Sequence, residues 1–92
     1  MVRHKEREMP TTRQILSEKR TAGASTFGQV CYALDLEMAT RPSKLPDNEE
    51  AWTDEMIALD AQSVSVAYRE TIEAHGWTVA EFTHVHNRTP TR

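Results

Sequence analysis

Apolar residues along this chain fall into four groups with helical spacing, separated by short polar breaks. The clearest group is Phe27, Val30, Cys31, Leu34 and Met38, spaced i, i+3, i+4, i+7 and i+11. That spacing lays one continuous stripe along a helix, and Tyr32 and Leu36 widen its expected buried face. Ile57, Ala61, Val64, Tyr68 and Ile72 make a second stripe, while Trp52, Met56, Leu59 and Val66 lie towards another side. A helix apolar on two sides is expected to touch more than one neighbour. Ile15, Leu16 and Ala22 mark a weaker helix before these, and Val79, Phe82 and Val85 a short one after them. The predicted helices run about Thr12–Ala22, Phe27–Thr40, Thr53–His75 (starting as early as Asn48) and Val79–Asn87.

Start and stop signals agree with that division. In a capping box the cap side chain accepts from the N3 amide, and the N3 side chain reaches back to the cap amide. Thr11 with Gln14, Thr26 with Gln29, Asp47 with Glu50, and Thr78 with Glu81 all have the spacing. Thr26, Thr53 and Thr78 are the expected caps. Trp77 with Phe82 and Trp52 with Ile57 have the spacing of a hydrophobic staple, which sets how the chain enters a helix. Gly23 and Gly76 suit the left-handed position after a helix. Pro42 and Pro46 bracket a linker, Arg41 to Pro46, that cannot be helical throughout. Two segments also admit a strand: the alternating Ser63-Val64-Ser65-Val66, and Trp77 to His86. The box and staple at Thr78 favour helix for the second.

The expected fold is all-α: a small bundle of about four helices, with the second and third as the central antiparallel pair. The expected core is Phe27, Val30, Leu34, Ile57, Val64, Tyr68, Ile72 and Phe82. A single helical domain over residues 11–87 is flanked by a flexible basic arm, 1–10, and a flexible tail, 88–92. A chain of 92 residues buries only about 60–65% of its unfolded surface. With 38% hydrophobic residues the core is expected to be thin, which makes self-association a natural way to bury more.

Charge is unevenly spread. Residues 1–20 carry six basic and three acidic groups, whereas residues 47–75 carry eight acidic groups and one basic. A basic arm therefore precedes an acidic middle. The single cysteine, Cys31, excludes an intrachain disulfide and every multi-cysteine zinc pattern. Its place in an apolar stripe predicts a buried, inert thiol. The charged start leads into no apolar run of signal-peptide type, and no stretch is long and apolar enough for a membrane span. A cytoplasmic location is expected.

Candidate chemistry is sparse. His75, Glu81, His84 and His86 are the one possible metal cluster. Glu81 and His84 share a helix face in the Glu-x-x-His manner of di-iron bundles, but no second copy of the motif exists. A set of surface histidines is the plainer account, and no cofactor is expected. Arg3, Lys5, Arg7, Arg13, Lys19 and Arg20 suit nucleic-acid phosphates, and the first two helices have the length of a helix-turn-helix. Against this, the second helix carries Asp35 and Glu37 and no basic residue before Arg41, and the chain as a whole is acidic. The acidic run around Asp47–Asp60 complements a helix dipole or offers a docking face. No glycine-rich phosphate loop is present.

These observations point first to a small non-enzymatic module that binds and modulates another protein, as a monomer or a homodimer. Glu49, Glu50, Asp54, Met56 and Leu59 are its expected contact. A helical DNA-binding regulator using the basic arm and the first two helices is the second expectation, and a metal-binding helical protein the third.

Overall fold

A computed structural model of the chain describes residues 10–89. The basic residues Arg3, Lys5 and Arg7 of the expected arm, and most of the expected tail, lie outside these residues. Among the described residues there are four α-helices and no strand: α1 Thr12–Ala22, α2 Phe27–Thr40, α3 Asp54–Ala74 and α4 Val79–Arg88. A 3-10 turn, Glu49–Ala51, precedes α3. Both segments that admitted a strand are helical or, at Trp77–Thr78, the turn into a helix.

The caps explain the boundaries. Thr11, Thr26 and Thr78 each form a complete capping box with Gln14, Gln29 and Glu81. Thr53 caps α3 by accepting from the Met56 amide. The expected box at Asp47 and Glu50 does not form. Asn48 instead accepts from the Glu50 amide and starts the 3-10 turn, so α3 begins at Asp54. Gly23 and Gly76 both take positive φ, 77° and 87°, as helix-ending glycines do.

Helices α2 and α3 make the most extensive contact, α1 packs mainly on α4, and α4 packs on the end of α3. The buried core is Ile15, Val30, Leu34, Ile72, Trp77, Phe82 and Val85. It gathers at one end of the α2–α3 pair, the base, where α1 and α4 cover it. Phe27 stacks on Phe82 at 5.0 Å between ring centroids, and Trp77 meets Phe82 edge-on at 6.3 Å. The Trp77–Phe82 staple therefore forms within the core.

Two turns are tied together at this end. The Trp77 indole N–H donates to the Ser25 carbonyl at 2.8 Å, and the Ser25 amide donates to the His75 carbonyl at 3.1 Å. Lys19 Nζ donates to the Gly76 carbonyl at 2.9 Å, lies 2.7 Å from Glu81, and sits 5.8 Å over the Trp77 ring. At the other end, the tip, Arg41 meets Asp60 at 3.3 Å. Contacts between α2 and α3 at both ends, in opposite chain order, make the pair antiparallel.

Part of the expected core is elsewhere. Ile57 is exposed, and the Trp52–Ile57 staple is not buried. The indole of Trp52 instead donates to the Pro46 carbonyl at 2.8 Å. Phe27, Val64 and Tyr68 are half-buried rather than central, and so is Cys31, whose thiol was expected to be buried. The physical reason is length. Helix α3 has 21 residues against 14 in α2 and 10 in α4. The end of α2 is level with Asp60, so the first turns of α3 project beyond the other described helices.

Candidate protein-docking face

The α2–α3 hairpin has two broad faces. One carries α1 and α4 at its base. Among the described residues no other helix covers the second face, which is lined by residues of both helices. Near the tip it presents Arg41, Lys44, Leu59, Ser63 and Val66 around an open cleft of about 500 Å³. Ala33, Leu36, Ala67, Thr71 and Ala74 continue it towards the base. At the base, Gly28, Gln29, Tyr32 and His75 frame a shelf of about 650 Å³. Small side chains at Ala33, Ala67 and Ala74 sit on this face among larger groups, the apolar Leu36 and the carboxylates of Glu37 and Glu70.

Exposure of large apolar groups sets this face apart. Tyr32 is 69% exposed, Leu59 58% and Leu36 52%. At the projecting tip Ile57, Met56 and Trp52 are also exposed. Isolated surface leucines are ordinary, but apolar residues that run together along one element mark a contact surface. Around the tip stand Asp47, Glu49, Glu50, Asp54 and Glu55, all exposed. Of the expected contact residues, Glu49, Glu50 and Asp54 therefore lie on the acidic rim and Met56 and Leu59 on the apolar tip. Tyr32 and Leu36 belong to the same open face. The stripe rule assigned both to the buried side of α2, and it cannot tell which flank of a wide stripe a short bundle leaves uncovered.

Asp60 anchors the tip. Its carboxylate accepts from the Lys44 amide at 3.0 Å and from Arg41 at 3.3 Å. The Lys44 hydrogen bond, with Arg41 behind it, holds the Asp60 carboxyl below the usual carboxylate range. The linker is thereby fastened across the end of α2.

Of the other expected site residues, Arg3, Lys5 and Arg7 lie outside the described residues, and the rest are placed as follows. Lys19 is committed to Glu81, Gly76 and Trp77, so it is part of the fold rather than of a cationic arm. Arg13 and Arg20 are exposed on α1. Because α1 packs mainly on α4, α1 and α2 do not form the compact pair that a helix-turn-helix reader presents. Burial opposes the charge on Glu81, but hydrogen bonds from Lys19 and the Thr78 amide outweigh it and hold its carboxyl below the ordinary value. His75 is engaged with Ser25. His84 has its Nε2 buried without a hydrogen-bond partner, and His86 lies beside Phe27 and Phe82. Among the described residues no three His, Cys, Asp or Glu side chains come together as a metal set. Burial, with Asp35 nearby, pushes the Cys31 thiol up, away from nucleophilic character.

One pair escaped the sequence reading. Ser25 Oγ and His75 Nδ1 are 2.7 Å apart, from positions fifty residues apart in the chain. A hydroxyl on an imidazole is the geometry of an activated nucleophile. Here the hydroxyl takes Nδ1, the nitrogen an orienting carboxylate holds in a hydrolytic triad. The same two residues are also joined through their backbones, so the pair acts as a clamp between two turns. No spacing rule in the sequence could have found it.

No known protein family, curated protein or solved structure matches this chain. No helix among the described residues is long and apolar enough to cross a membrane.

Proposed function

We propose that this protein is a small non-enzymatic module that binds another polypeptide chain through the open face of the α2–α3 hairpin and modulates it. One observation carries the reading: Leu36, Tyr32, Leu59 and the projecting start of α3 expose large apolar side chains that lie outside the core of the described residues. Fully burying a free apolar side chain is worth about 1.5–3 kcal/mol, and these are already roughly half covered, so a partner that fits the face gains part of that at each position. The acidic rim at the tip favours a partner surface with basic groups in register, and steers its approach.

A photo-crosslinking amino acid placed at Leu36 or at Leu59, in the host cell, tests this. The expected result is the same discrete polypeptide adduct from both positions and none from Arg13 on α1. Introducing Leu59→Glu should abolish the adduct formed from position 36. Absence of any adduct from either position, or equal labelling from Arg13, overturns the docking reading. Replacing Glu49, Glu50 and Asp54 by their amides should slow association and weaken its salt dependence. Unchanged association removes the acidic rim from the account.

A further inference from the structure

A cleft of about 240 Å³ lies beside α1, where separate stretches of the chain converge. Helix α1 contributes Leu16, Lys19 and Arg20, which share one face at i, i+3 and i+4. The turn after it contributes Thr26, the start of α2 Phe27, and the turn between α3 and α4 Trp77. None of the exposed apolar groups of the open face lines this cleft.

Contacts on several sides hold the cleft in shape. The Ala24 Cβ stands 2.8 Å from where a Cβ on Gly76 would lie, so the two turns have no room to close further. The Trp77 indole is tied to the Ser25 carbonyl at 2.8 Å. The Ala24 amide donates to the Lys19 carbonyl at 3.0 Å, and Lys19 Nζ donates to the Gly76 carbonyl at 2.9 Å. A site formed in advance spares a ligand the cost of ordering it.

The lining has two chemistries. Leu16, Phe27 and Trp77 make an apolar slot with two aromatic walls, and no carboxylate lines the cleft. Lys19 is neutralised by Glu81 at 2.7 Å. Arg20 is exposed and forms no ion pair among the described residues. Thr26 Oγ accepts from the Gln29 amide at 3.1 Å, which leaves its hydroxyl hydrogen to donate.

We infer that this cleft binds a small aromatic carboxylate, with its ring in the slot and its carboxylate on Arg20 beside the Thr26 hydroxyl. Volume sets the size. The cleft is smaller than the roughly 300–1,000 Å³ of sites for drug-sized ligands, so it takes a molecule of one or two rings. Aromatic walls favour a flat ring over a branched aliphatic body. Charge sets the head group. A guanidinium fork pairs bidentately with a carboxylate, and with Lys19 already neutralised the site offers one positive charge to one negative charge. The inference goes beyond the docking reading and does not depend on it.

Titration of the isotopically labelled full chain with cinnamate, followed by NMR of its N–H groups, tests the site. Cinnamamide, which has the same shape without the charge, is titrated beside it. Saturable shifts of the Trp77 indole N–H and of the Ser25 and Thr26 amides are expected, with the Trp52 indole unmoved. Cinnamamide should bind about tenfold more weakly. Arg20→Gln, at an exposed position, should bring cinnamate down to the affinity of cinnamamide and leave cinnamamide unchanged. Arg13→Gln on the same helix should change neither. No saturable shift with millimolar cinnamate, or shifts centred on Trp52 and the open face, overturns the site. Equal binding of the two probes, or an Arg20→Gln protein that binds cinnamate as the wild type does, overturns the carboxylate as its ligand. None of these outcomes bears on the adducts expected from positions 36 and 59, so the two readings fail separately.

Discussion

Gly23 and Gly76 have nearly the same backbone and different surroundings. Both hold φ in the left-handed region, which costs a residue with a Cβ about 1–2 kcal/mol. A Cβ added at Gly23 meets nothing within 4 Å, whereas one at Gly76 lands 2.8 Å from the Ala24 Cβ. Gly76→Ala is therefore expected to destabilise the protein more than Gly23→Ala in urea unfolding. Adding Ala24→Gly should narrow the gap. Equal costs would mean the two turns are not in contact. The sequence marked both glycines as helix stops, because that role is local. It could not reveal the Ala24 contact, nor that Lys19 pairs with Glu81, because each joins segments more than fifty residues apart. Lys19→Met should cost about 1–2 kcal/mol by the same assay, despite the residue's look of a surface cation.

Elements follow the sequence closely where their signals are local. Three of the four capping boxes formed as spaced, and Thr78→Ala is expected to cost about 1 kcal/mol. The failure at Asp47 has a local cause as well: Asn48 competes for the Glu50 amide. Acid tests two of these anchors together. The carboxyls of Asp60 and Glu81 are both held below their ordinary values of 3.8 and 4.5. A carboxylate depressed in the folded state contributes stability that is full above its unfolded value and is lost as pH falls through its folded value. Melting temperature should therefore hold steady from neutral pH to about 5 and drop below about 4.5. Glu81→Gln with Asp60→Asn should flatten that acid limb, and an unaltered limb would locate the acid sensitivity elsewhere. What the periodicity of α3 did not disclose is where its burial stops. Ile57 and Ile72 belong to one stripe, yet one is exposed and the other fully buried. The stripe fixes a face, and only the lengths and alignment of the neighbouring helices fix how far it is covered.

At the level of the whole molecule, the Cα radius of gyration of 16.9 Å exceeds the roughly 12 Å of a compact domain of this size. The base holds a packed core, and the hairpin carries an open apolar face and an acidic tip away from it. The thin core was legible in composition. The face itself was legible only in part: Met56 and Leu59 stood out from the main stripe, whereas Tyr32 and Leu36 were hidden within one. Photo-crosslinking from position 36 and from position 59 in the host cell, beside position 13 on α1, tests the central claim most directly. The account predicts the same discrete polypeptide adduct from both positions on the open face and none from position 13. No adduct from either position, or equal labelling from position 13, would contradict it.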